Sequence, residues 1–183
     1  MLGIRGTVIT PKGEVADGLV TVEGGEISHV GRWEEGLCER LLDFSGCYVA
    51  PGLVDIHVHG GGGHSAMDPE GIGGLSEFLA RGGVTSFLPT THTAPHERIV
   101  EAVEAIGRGI RGGQRGAIPL GVHMEGPYIS PEMCGAQNRD HVRPPDIHEI
   151  AEVYDVSGGS LRVVTLAPEM EGGIDAIRWL ASR

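Results

Sequence analysis

The spacing of apolar positions changes near residue 50. Before it, short runs alternate apolar with polar residues, the period-two signature of half-exposed strands. The stretch GLVTVEGGEISHVG is the clearest case, two alternating runs joined across Gly24-Gly25, a dipeptide suited to a tight hairpin turn. Residues 1–50 are therefore predicted to form a small β module. From Pro51 onward strand-like and helical stretches alternate: LVDIHVH, EGIGGLSEFLARGG, VTSFLPT, PHERIVEAVEAIGRGI, IPLGVHMEG, IHEIAEVYDV, LRVVTLAPE and EGGIDAIRWLASR. That order predicts about four βα units over residues 51–183. Ile99, Val103, Ile106 and Ile110 recur every three or four residues and so share one helix face. Pro95 suits the start of that helix, where its missing N–H is not needed.

The strand runs are nearly continuous in Val, Ile and Leu and are separated by helices, which implies a parallel sheet buried on both faces. A doubly wound sheet and a (β/α)8 barrel both meet that description. A closed barrel takes about 250 residues, and the segment 51–183 supplies roughly half of that. Four strands would leave LRVVTLAPE as an open edge, an aggregation liability unless another chain or a further segment covers it.

Composition narrows the classes. With 40% hydrophobic and 21% charged residues the chain reads as an ordinary soluble globular protein. A formal net charge of -11 argues against general affinity for nucleic acid or an anionic membrane surface, and leaves room for one local basic pocket. The first residues lack an apolar signal region, and no run approaches the about 18 apolar residues of a membrane span, so a cytoplasmic protein is expected. Cys38, Cys47 and Cys134 are odd in number and contain no CxxC pair, which predicts free thiols.

The chemistry concentrates at strand ends. In PGLVDIHVH, alternation places Leu53, Asp55, His57 and His59 on one face and Val54, Ile56 and Val58 on the other, where they would pack under helices. Two imidazoles at i and i+2 on the last turn of a strand converge on one point, and imidazole is a common ligand for zinc and its neighbours. The plainer alternative is a pair of polar residues lining water. Glu125, ending the strand of GVHMEG, would add a carboxylate and complete three protein ligands, the usual number when a metal keeps a position open. His123 shares its face and is expected to be packed or to support a ligand. Asp55 is a candidate partner for a ligating imidazole. The only lysine is Lys12, in the β module, so no barrel lysine can bridge two metals and that role would fall to Glu125. Gly60–Gly63 is not followed by GK[ST] and reads as a flexible loop beside the site. His92 reads as a loop histidine bordering it, while His29, His64, His96, His141 and His148 have no evident partner. The absence of GxSxG and of a cysteine nucleophile with its base disfavours covalent hydrolysis.

PGLVDIHVHGGGG resembles the metal-binding opening of the amidohydrolase superfamily, and GVTSFLPTT, GVHMEGPYISPEMCGAQN and VTLAPE are similar, in order and spacing, to the N-acetylglucosamine-6-phosphate deacetylases. The resemblance covers essentially the whole chain. It implies an α/β fold, a partial (β/α)8 TIM-type barrel preceded by part of a small β-sandwich. It implies His57, His59 and Glu125 as ligands of one or two divalent ions, zinc foremost. It implies Ala136 and Gln137 as contacts to the sugar, many relatives carrying histidine at the second position. The implied reaction removes the N-acetyl group of N-acetylglucosamine 6-phosphate, releasing acetate. A general-base aspartate from the eighth strand and two further histidines from strands five and six are implied beyond residue 183, so these residues alone are expected to be inactive. A homodimer is also implied, with a phosphorylated amino sugar as the small-molecule partner and neither nucleic acid nor membrane. The alternatives are another amidohydrolase acting on a small amide or cyclic ureide, whose hydantoinase-like forms would need the missing lysine, and a non-catalytic half-barrel that serves binding or assembly.

Overall fold

A computed structural model describes all 183 residues, which divide into two compact units, Met1–Pro51 and Gly52–Arg183. In the first unit β1 (Leu2–Thr10), β2 (Gly13–Glu23) and β3 (Glu26–Arg32) form an antiparallel meander, and β4 (Arg40–Val49) returns parallel to β1. The result is one four-stranded sheet of order β3-β2-β1-β4. The β2–β3 hairpin turns on Gly24 and Gly25 with φ of 60° and 86°, the left-handed region that a side chain would disfavour. Val8, Leu19 and Thr21 are buried, whereas Ile27, Phe44 and Tyr48 stay exposed.

The second unit carries β5 (Leu53–Val58), β6 (Gly60–Gly61), β7 (His64–Ser65), α1 (Gly71–Arg81), β8 (Val84–Thr91), α2 (His96–Gly112), β9 (Ile118–Pro119), β10 (Val122–Glu125), α3 (Ile147–Val156), β11 (Leu161–Thr165) and α4 (Gly173–Ala181). Its main sheet runs β11-β10-β8-β5 with every pairing parallel, and β9 adds to β8. This is the α/β architecture with a parallel sheet that the alternation of strand and helix runs predicts. Ile99, Val103 and Ile106 bury their shared face against Val122, Met124, Tyr128, Ile150 and Val153, with Ile110 at the margin. A smaller cluster joins Leu75 and Leu79 of α1 to Phe87 and Ala117. The three cysteines are free, and no helix is long and apolar enough to cross a membrane.

Two expectations are corrected. Val54 and Ile56 are 59% and 64% exposed rather than packed under helices. β5 lies at a sheet edge, and α1 rests its apolar face on Phe87 of β8, so on β5 only Val58 reaches that cluster. The segment Gly60–Gly63 is not an open loop either, because β6 and β7 pair as a two-stranded hairpin. Glycine fits there for contact reasons. A Cβ at Gly61 or Gly62 would lie 2.5 or 2.4 Å from the Phe78 ring, and one at Gly60 would lie 2.4 Å from the His64 carbonyl oxygen.

Candidate metal centre

Because the strands are parallel, their C-terminal ends share one rim, and the sequence places its candidate donors there. His57 is near the end of β5, His59 follows it, and Glu125 is the last residue of β10. Their donor atoms all lie within 4.8 Å of one another. His59 Nε2 is 3.0 Å and His57 Nε2 3.8 Å from the same atom, Glu125 Oε2. The two rings stand edge to face with centroids 4.9 Å apart. Donors bonded to a tetrahedral zinc at about 2.0–2.1 Å lie roughly 3.3 Å from each other, so the two Glu125 contacts fall near the spacing of donors that share an ion.

The hydrogen bond on the far side of His59 suits the same role. His59 Nδ1 is 3.0 Å from the Thr90 carbonyl oxygen, which can only accept, so Nδ1 carries the proton. That leaves Nε2 as the ring atom turned to the Glu125 carboxylate, which can only accept. Such a contact needs a cation between the two atoms, a proton or a metal ion. A histidine whose far nitrogen donates to a carbonyl is also the usual arrangement of a metal-binding imidazole. Thr90 does more than this. Its buried hydroxyl accepts from the Val58 N–H at 3.0 Å and donates to the Leu88 carbonyl, fastening the end of β5 to β8.

His123 is buried and donates from Nδ1 to the Ile56 carbonyl at 3.0 Å, while its Nε2 lies 2.8 Å from Thr165 Oγ1. Burial pushes its pKa below the ordinary value, and the neutral ring braces β5 against β10 and β11. Asp55 departs from expectation. Its carboxylate accepts from the backbone N–H of His57 at 3.0 Å rather than meeting an imidazole. Gln137 donates to Glu125 Oε2 at 2.5 Å and accepts from the Thr93 N–H at 2.6 Å. Ala136 is exposed, and both it and Gln137 line a cavity with His59, His92, Arg98 and His141. The loop that carries them is tied down behind the site, where Tyr128 Oη and Arg143 Nε both donate to Glu149 of α3 at 2.9 Å.

The amidohydrolase family model matches residues 48–182, about three quarters of the chain. The chain belongs to the amidohydrolase family. It is 37% identical to the N-acetylgalactosamine-6-phosphate deacetylase of Escherichia coli O157:H7, over 94% of this chain and 45% of that protein. It is 34% identical to the N-acetylglucosamine-6-phosphate deacetylase of Bacillus subtilis (strain 168), over 94% and 46%. A solved aspartate-to-alanine variant of the Mycobacterium smegmatis N-acetyl-D-glucosamine-6-phosphate deacetylase, in complex with N-acetyl-D-glucosamine-6-phosphate, superposes with a TM-score of 0.86 at 30% identity, covering 99% of this chain and 47% of that one. The chain thus spans about half the length of the relatives it matches.

In this amidohydrolase several site contacts carry little trace in the sequence. The Gln137–Glu125 bond crosses an irregular loop, and His59 meets Thr90 across 31 residues. A threonine inside an otherwise apolar strand run is the one signal that could have singled out Thr90, since a buried hydroxyl needs partners. His96, without an evident partner in the sequence, sits 2.9 Å from Glu152. Gly126, next to Glu125, holds φ at 69°, and a Cβ there would lie 2.2 Å from Thr93 Oγ1. Gly126→Ala is expected to cost about 1–3 kcal/mol in urea unfolding, from the left-handed backbone and the displaced threonine. It should also weaken metal binding by shifting Glu125, which a zinc titration would detect.

Proposed function

We propose that this chain supplies the metal-binding strands of an enzyme that hydrolyses the N-acetyl group of a 6-phosphorylated amino sugar, N-acetylglucosamine 6-phosphate in the first instance. The observation that carries this reading is the convergence of His57, His59 and Glu125 on one rim of a parallel sheet. It is supported by relatives named as deacetylases of two such sugar phosphates. In this reading the five-stranded sheet is about half of a (β/α)8 barrel, and the sheet of residues 1–50 is part of a β-sandwich.

His57 Nε2, His59 Nε2 and Glu125 Oε2 would hold a divalent ion, zinc foremost, and the two histidines leave room for a second. An ion held there would polarise the amide carbonyl and bring the pKa of water towards neutrality. The residues of this chain set up that chemistry: Thr90 fixes the His59 tautomer, and His123 stays neutral and braces the strands. Gln137 and Ala136 line the adjoining cavity, where the sugar would lie. By the family resemblance, the general base that moves the proton to the leaving amine would be an aspartate of the eighth strand, and two more histidines would come from strands five and six. Activity therefore belongs to the polypeptide that carries both halves, and a homodimer is part of the same reading.

Acetate release, measured on the full gene product with N-acetylglucosamine 6-phosphate and N-acetylgalactosamine 6-phosphate, tests the assignment. Turnover of either phosphate well above that of the unphosphorylated sugars is expected, and their ratio names the preferred epimer. No release from any of them, in protein loaded with zinc, would sink the reading.

A further inference from the structure

We infer that Gln137 is a positioning residue for Glu125, fixing the orientation in which that carboxylate meets the two histidines. The inference rests on the metal-site reading above. The Gln137 side chain is spent at both ends: Oε1 accepts from the Thr93 N–H at 2.6 Å, and Nε2 donates to Glu125 Oε2 at 2.5 Å. The direction of the amide is fixed chemically. A backbone N–H can only donate and a carboxylate can only accept, so turning the amide over would lose both bonds.

The atom that Gln137 grips is the one nearest both imidazoles, Glu125 Oε2. One lone pair of that oxygen faces the amide, which directs the other towards the histidines. The last torsion of a glutamate is broad and soft, so without this grip the carboxylate could rotate away from the imidazole pair. A neutral donor suits the task. Lysine or arginine would cancel part of the charge that a cation needs, whereas an amide orients the carboxylate and leaves that charge in place. The grip also joins three segments at the rim: the stretch after β8 through Thr93, the end of β10 through Glu125, and the loop that carries Gln137 itself.

Partners one step removed from a metal typically change its affinity by about 10–100-fold when lost. The test is zinc affinity of the full gene product, by competition with a chromophoric chelator, for the parent and for Gln137→Met, which keeps side-chain length and removes both bonds. Zinc affinity is expected to fall by about 10–100-fold, with an altered cobalt(II) absorption spectrum and a lowered unfolding midpoint of the metal-free protein from the unpaired Thr93 N–H. Gln137→Asn, polar but too short to span both partners, should lose affinity similarly and serves if the methionine variant does not fold. Parent-like affinity in either folded variant overturns the inference while leaving the metal site standing. A parent that binds no zinc overturns both.

Discussion

Glu125→Ala is expected to lower kcat/KM for acetate release by the full gene product about a thousandfold, since Lewis-acid stabilisation is worth several kcal/mol and each 1.4 kcal/mol is about tenfold in rate. Two features make this residue decisive. It is the only carboxylate in the cluster, so its loss removes the one anionic donor, and its Oε2 is the atom to which both histidines and Gln137 turn. The same substitution should leave the stability of the metal-free protein nearly unchanged. The contacts given up in that state, with Gln137 and the two histidines, lie at a partly exposed rim and are of modest worth to the fold. Steady-state kinetics and urea unfolding of one variant separate the two effects. A large fall in stability with normal kinetics in the folded fraction would show that Glu125 is structural.

The largest effect on stability is expected from Phe87→Ala, about 3–5 kcal/mol in equilibrium urea unfolding, a sizeable share of the roughly 5–15 kcal/mol of an ordinary domain. Phe87 is fully buried and is the β8 residue on which Leu75 and Leu79 of α1 and Ala117 close. β8 also pairs with β5, β9 and β10, and its Thr90 holds both Val58 and His59. A cavity under β8 should therefore loosen the metal rim as well, with weaker zinc binding accompanying the stability loss. Phe78→Ala is the control, since Phe78 is 47% exposed and lies against the glycine hairpin. It is expected to cost clearly less than Phe87→Ala.

What the sequence reveals about this fold follows from periodicity. The face of α2 is legible because Ile99, Val103, Ile106 and Ile110 repeat at the helical period, and the β2–β3 hairpin because two alternating runs meet at paired glycines. The three candidate donors are legible because a parallel sheet presents all its strand ends on one rim, so residues 57, 59 and 125 are neighbours once the βα order is read. Contacts made by loops leave no such trace. Gln137 reaches Glu125 only because the stretch after β10 folds back over the rim, and His96 meets Glu152 across 56 residues through the docking of α2 beside α3. The exposure of Val54 and Ile56 was hidden for a related reason. Alternation identifies the two faces of a strand, but which helix covers a face depends on where α1 settles, and it settles on β8.

The most direct test of the metal site is anomalous diffraction at the zinc edge from crystals of the full gene product loaded with zinc. The predicted result is an ion bonded to His57 Nε2, His59 Nε2 and Glu125 Oε2 at about 2.0–2.2 Å. An ion bound elsewhere, or none at this rim at saturating zinc, would contradict the assignment of these three residues.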